Sequence, residues 1–222
     1  MSIQSKEELA ALREAGRIVR TALQAMKKQV RAGITTAALN DIGADVLAQN
    51  GARSAPALVY GFPADILISV NDEIVHGIPS GRVIRAGDLV KLDVTIEKDG
   101  FMADAAITVA VEPIAAQQRP LIECTARAWR KALQVARAGN RINKIGRMVE
   151  GEIKKNGFSV VRELCGHGIG RTIHEAPEVP NFYDWRASKR LTDGLVLTIE
   201  PMAAAGSGKS VHADDGLTVK TA

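Results

Sequence analysis

The sequence has 222 residues, 46% of them hydrophobic and 24% charged, ordinary globular values that exclude a disordered, collagen-like or coiled-coil chain. No apolar run approaches the ~20 residues a membrane span requires, and Met1 to Lys6 lack the apolar stretch of a signal peptide, so a cytoplasmic protein is expected. The net charge of +4 has no run of five like charges behind it, and aromatics make up only 4%, which reads against a specific nucleic-acid partner.

Residues 6 to 30 carry Leu9, Leu12, Val19, Leu23 and Met26 at helical spacing. A second helix is predicted after Thr35-Thr36 as caps, through Leu39, Ile42, Val46 and Leu47, ending at Asn50-Gly51. β-Branched runs follow at Ile66 to Val70, Leu89 to Ile96 and Phe101 to Val111. Helical spacing returns over residues 117 to 138 and from about Arg141 to Asn156-Gly157. The last third sets strand-like runs, Phe158 to Val161 and Leu195 to Ile199, between Gly- and Pro-rich connections.

This order contains a repeat. Arg31-Ala32-Gly33 and Asn50-Gly51 recur as Arg137-Ala138-Gly139 and Asn156-Gly157, an offset of 106 residues. The same offset carries Leu39 onto Ile145, Ile42 onto Met148 and Leu47 onto Ile153, so the apolar helix face recurs too. Two Gly-capped helices could agree by chance, but the favoured reading is two similar α+β halves, about 1–110 and 111–222, with a ligand site between them.

Four segments could carry chemistry. In KLDVTIEKDGFMADAAITV (91–109), two β-branched runs flank Asp99-Gly100, a hairpin-turn signal. A two-residue turn there pairs Asp93 with Ala106, so Asp93 and Asp104 share a face of the sheet. Two carboxylates on a mostly apolar sheet repel one another, and a bound cation resolves the conflict; otherwise one must face solvent or an arginine. In LCGHGIGRTIHEAPEVP (164–180), His167 lies between glycines that let the backbone approach a ligand, and His174 follows. Neutral imidazole binds metals and exchanges protons near neutral pH, although a histidine can also be merely structural. LTIEPM (197–202) ends an apolar run on Glu200, and SVNDEIVHGIPSG (69–81) holds His76-Gly77; each is weak alone. Asp93, Asp104, His167 and Glu200 form an oxygen-rich donor set with one imidazole, suited to Mn, Fe, Co or Zn. Three carboxylates exceed what one divalent ion needs for neutrality, so two bridged metals activating a shared water are expected.

NDEIVHGIP, GDLVKLDVTIEKDGFMADAAITV, CGHGIGRTIHE and TIEPM, in this order and at closely similar spacing, resemble the methionine aminopeptidases of the short bacterial type (type I). The resemblance runs from the N-terminal helix to DDGLTVKT at 214–221. It implies the α+β pita-bread fold, a single catalytic domain of two pseudo-symmetric halves around a central antiparallel sheet with a dimetal centre. The family's metal ligands fall on Asp93, Asp104, His167 and Glu200, with Glu200 also the implied proton shuttle. His76 falls on the histidine that contacts the scissile amide nitrogen. His174 falls on the one that polarises the substrate carbonyl. The implied reaction is release of the initiator methionine from nascent chains, with N-terminal Met peptides as partners, transient contact with the ribosome, and a monomeric protein.

Two departures from the family pattern stand out. The family has a fifth ligand, a bridging glutamate on a strand well beyond the position of Glu200, and the sequence given ends at Ala222. The expectation is either a shortened form lacking its final strand or a molecule that holds one metal or none, with His212, Asp214 and Asp215 as substitutes to weigh. The implied substrate pocket is apolar, at Val59, Phe62, Leu67, Ile173 and Leu217, where the family often has aromatics and a cysteine. A non-catalytic pita-bread protein that binds peptide, ribosome or nucleic acid is the rival reading. A proline-directed relative of the same fold is the other, and such relatives usually carry a large additional N-terminal domain.

Overall fold

A computed structural model describes residues 1–222. The first helix, α1 (Lys6–Gln29), is capped by the Ser5 hydroxyl, which accepts from the Glu8 N–H; α2 (Thr36–Gln49) is capped by Thr35 in the same way from Ala38. The chain continues through β1 (Arg53–Ser54), the short α3 (Ala55–Tyr60), β2 (Leu67–Val70) and β3 (Glu73–Val75). The long hairpin β4 (Leu89–Lys98) and β5 (Phe101–Ala110) closes the first half. Its turn is the predicted two-residue one, with Asp99 at φ 51° and Gly100 at φ 82°, which matches the strand twist. The pairing of Asp93 with Ala106 and of Thr95 with Asp104 is the expected register.

Alternation along this hairpin sorts its residues. Val90, Leu92, Val94 and Ile96 are buried against Ile18, Leu23 and Met26 of α1 in the larger core. Lys91, Asp93, Thr95 and Glu97 therefore face the other way, and the directly paired Asp104 and Ala106 join them. β1 and β2 pair with one edge of β4, and β5 takes the opposite edge.

The second half repeats the plan with α4 (Gln118–Val135), α5 (Asn143–Lys155), β6 (Ser159–Val160), β7 (Cys165–Gly168), β8 (Glu175–Pro180) and β9 (Ala203–Ala204). Its own core gathers Ile142, Ile145, Val149, Ile153, Val160 and Val179. The backbone bonds recur with the sequence repeat. Gly33 N–H donates to Ile84 O at 2.9 Å, and Gly139 N–H to Leu191 O at 2.8 Å. The Asn50 side chain donates to Val46 O and the Asn156 side chain to Glu152 O, both at 2.8 Å. β1 pairs with β4 at Ser54↔Ile96, and β6 pairs with β9 at Val160↔Ala203. The last two short strands, β10 (Ser210–His212) and β11 (Val219–Thr221), pair with each other, and β11 also pairs with β3.

One expected strand is absent. Leu195 to Ile199 forms only isolated bridges, Leu195 with Ser2 and Leu197 with Gly168. The ladder is interrupted because the Thr198 hydroxyl, not a backbone carbonyl, accepts the His167 N–H at 2.9 Å. The helix expected from Arg141 begins instead at Asn143, because the Ile142 and Asn143 N–H groups donate to Lys189 O and Ala187 O of a neighbouring loop.

Candidate metal centre

The site forms where the β4–β5 hairpin of one half meets β7 and the 195–200 segment of the other. One ligand atom each from Asp104, His167 and Glu200 lies within 4.8 Å of the other two. His167 Nε2 stands 3.2 Å from Glu200 Oε1 and 3.9 Å from Asp104 Oδ2. Asp93, the fourth predicted ligand, is not among these three, but it lies near enough to Asp104 and Glu200 for their charges to act on its carboxyl.

The repeat accounts for two of these positions. β6 and β9 correspond to β1 and β4, with Ile96 matching Ala203. The same step carries Asp93 onto Glu200, so these two carboxylates occupy equivalent places in the two halves. Close packing holds the strands together here, since a Cβ at Gly166 would lie 2.5 Å from Thr198 O and one at Gly77 only 2.3 Å from Ile68 O.

The electrostatics are those of a site with negative charge in excess. Burial, reinforced by Asp104 and Glu200, holds the Asp93 carboxyl well above the usual carboxylate range. Burial and then Glu200 push Asp104 up to about 7, against the opposing pull of His167 and of a hydrogen bond from Thr95. For His167, burial works against the charged form, but hydrogen bonds to Glu200 and to the Gly168 carbonyl raise its pKa overall. His167 Nδ1 lies 2.9 Å from Gly168 O; donating there leaves the Nε2 lone pair facing the carboxylates of Asp104 and Glu200. A lone pair aimed at two carboxylate oxygens is repulsive until a cation or a proton sits between them. The donor set and its orientation therefore fit a divalent metal ion.

His174 lies beside this cluster, its ring edge-on to that of His167 with centroids 4.2 Å apart. Burial and the neighbouring His167 lower its pKa. Glu175 staples the turn that carries it, accepting from the Arg171 and Thr172 N–H groups at 2.7 and 2.9 Å and from the Met1 ammonium. His76 faces the same charges, with Glu200 and His212 among the groups that shift it, while burial lowers its pKa overall. Its backbone is left-handed, φ 60°, a strained conformation outside glycine, and its carbonyl accepts from the Thr218 hydroxyl.

Leu67 pairs with Asp93 and so shares its face of the sheet. Val59 and Phe62 flank Tyr60, the first half-exposed and the second buried. Ile173 packs with Ala55, Met102 and Ile169 in a small buried cluster, and Leu217 is exposed beside His76. Asp215 is occupied by its own turn, accepting from Leu217 N, Thr218 N and the Thr218 hydroxyl.

Sequence reasoning passed over two hydroxyls. Thr198 Oγ1, which accepts the His167 N–H, also donates to the Glu200 carboxylate, and the Tyr60 hydroxyl lies 2.6 Å from His174 Nδ1. Thr198 was within reach, since period-two alternation in LTIEPM puts it on the face of Glu200. Tyr60 carried no local signal.

The profile of metallopeptidase family M24 matches residues 10–221. Methionine aminopeptidase 2 of Bacillus subtilis is 41% identical over all of this chain and 90% of its own length. The methionine aminopeptidase of Clostridium perfringens is 40% identical over 99% of this chain and 88% of its own. The crystal structure of the methionine aminopeptidase of Thermotoga maritima superposes with a TM-score of 0.96 at 30% identity, covering all of this chain and 90% of that one. The prolidase of Pyrococcus furiosus gives 0.77 at 25% identity, covering 90% of this chain but 57% of that one. With the two-half architecture, the family match over residues 10–221 and relatives matched along nearly their whole length, the chain has the pita-bread fold and belongs to metallopeptidase family M24, among its methionine aminopeptidases.

Proposed function

We propose that this chain is a metal-dependent aminopeptidase that releases N-terminal methionine from newly made polypeptides. The observation that carries the reading is the convergence of Asp104, His167 and Glu200, backed by Asp93, from opposite halves of the molecule. These residues would hold two divalent ions drawn from Mn, Fe, Co or Zn. Bound there, the metal supplies Lewis acidity toward water and the substrate carbonyl. Glu200, with the Thr198 hydroxyl fixing one carboxylate oxygen, takes the proton of the attacking water and passes it to the departing amine. His174 donates to the carbonyl oxygen, where negative charge grows, and His76 contacts the scissile amide nitrogen. Val59, Phe62, Leu67, Ile173 and Leu217 form the apolar surroundings for the methionine side chain.

The test is methionine release from a Met-Ala-Ser peptide by metal-stripped protein given Mn or Co. Turnover should appear with metal and fall at least about hundredfold in Asp104→Ala. Folded protein that takes up metal without releasing methionine would leave the peptide-binding reading in its place.

Transient contact with the ribosome is supported by the distribution of charge. Arg141, Lys144, Arg147, Arg186, Lys189 and Arg190 are all exposed and none forms an ion pair. They border one loop, in which Arg147 stacks on Tyr183 and Trp185 is 69% exposed. Charge dispersed along the sequence is thus concentrated in space, a surface suited to RNA phosphates and bases. Co-sedimentation with ribosomes should weaken with added salt and with Arg186→Ala/Lys189→Ala/Arg190→Ala.

A further inference from the structure

The Tyr60 hydroxyl reaches across the site to His174, 2.6 Å from Nδ1, linking residues 114 apart in sequence. The two rings lie close, centroids 5.7 Å apart. Tyr60 stands at the C-terminus of α3, where Gly61 closes the helix in the left-handed conformation at φ 66° and returns its N–H to Ala57 O. At its other end α3 is capped by Ser54, a residue of β1 that pairs with Ile96 of β4. The phenol is therefore anchored to the strand that carries Asp93.

A neutral imidazole has one N–H and one lone pair, and its two tautomers present opposite groups to a substrate. A phenol donating to Nδ1 places the ring proton on Nε2. An Nε2–H can donate to a carbonyl oxygen as it becomes negatively charged; a bare Nε2 would repel it. We infer that Tyr60 is a positioning residue that holds His174 as the Nε2–H tautomer, so that the imidazole is a hydrogen-bond donor when the substrate carbonyl arrives. The inference rests on the aminopeptidase reading for its catalytic consequence, but not for the tautomer itself.

The experiment is therefore double. In the full chain labelled with 15N-histidine, long-range nitrogen–proton correlation should report His174 with Nε2 protonated and Nδ1 accepting. Tyr60→Phe, which keeps the ring and removes only the hydroxyl, should release the Nδ1 signal from its hydrogen-bonded position. In parallel, Tyr60→Phe should lower kcat for Met-Ala-Ser about tenfold with KM within twofold and an unchanged thermal midpoint. In a His174→Ala background the same change should have no further effect. A wild-type His174 protonated on Nδ1, a nitrogen spectrum indifferent to Tyr60→Phe, or an undiminished loss in the His174→Ala background would each overturn the assignment. Absence of methionine release by the wild type would overturn the functional reading instead, and the nitrogen spectrum would still decide the role of Tyr60.

Discussion

Thr198 joins two demands at one hydroxyl. As an acceptor it relieves the buried His167 N–H of a missing ladder bond, and as a donor it fixes the Glu200 carboxylate. Replacing it by valine keeps the shape and loses both bonds. An unsatisfied buried N–H costs about 1–3 kcal/mol, and the freed carboxylate no longer holds its orientation. Thr198→Val should unfold at lower urea concentration than the wild type and release methionine about ten- to hundredfold more slowly, whereas Thr198→Ser should recover most of both. Equal urea midpoints for Val and wild type would show that the interrupted ladder finds another acceptor.

Among the elements, α4 and α5 are joined by a buried carboxylate. Glu152 of α5 accepts from Arg127 and Lys131 of α4, and these bonds hold its carboxyl at about 2. Because the folded pKa lies below that of the unfolded chain, the stabilisation is fully present above the ordinary glutamate range. It is lost as pH falls through that range toward about 2. Urea midpoints of Glu152→Gln and the wild type should therefore differ most near pH 6 and converge as the solution is acidified; a constant gap would deny the pair its role. The helices were legible in the sequence because their apolar faces repeat at the helical period, and the hairpin because Asp99-Gly100 admits few alternatives. α3 was not, since six residues opening on Ala55-Pro56 are too short to show periodicity. β7 and β8 were hidden for another reason: CGHG and EAPEVP lack β-branched runs and owe their pairing to close backbone contact, as between Gly168 and Ala176 O. Asp93 and Asp104 could be paired from alternation and the conflict of like charges, whereas Glu200 was only a carboxylate ending an apolar run; the convergence of Asp104 and Glu200 with His167 depended on how the two halves meet.

For the molecule as a whole, the candidate metal centre is where charged groups of the two halves meet, beside the small apolar cluster of Ala55, Met102, Ile169 and Ile173 that also spans them. Crowding of carboxyls at that seam opposes the ionisation of Asp93 and Asp104, and a divalent cation should turn that repulsion into attraction. Saturating Mn at a hundred times its Kd would add about 2.7 kcal/mol to folding stability. Hydrogen exchange should slow on metal addition at residues 91–106 and 165–200 together, while the exposed face of α4 should be unaffected. Protection confined to one half would mean that the cation does not span the seam.

The 194–198 segment lies between the first residues of the chain and β7: Val196 N–H donates to Met1 O, Ile3 N–H to Gly194 O, and Thr198 N–H to His167 O. Translation delivers these partners far apart in time. The opening residues and the β4–β5 hairpin leave the ribosome long before Glu200 is polymerised, so they wait without the segment that will fasten them. Until then the hairpin carboxylates have no imidazole and no Glu200 opposite them. On the proposed function, the centre can be completed only after the segment bearing Glu200 has been made and has docked.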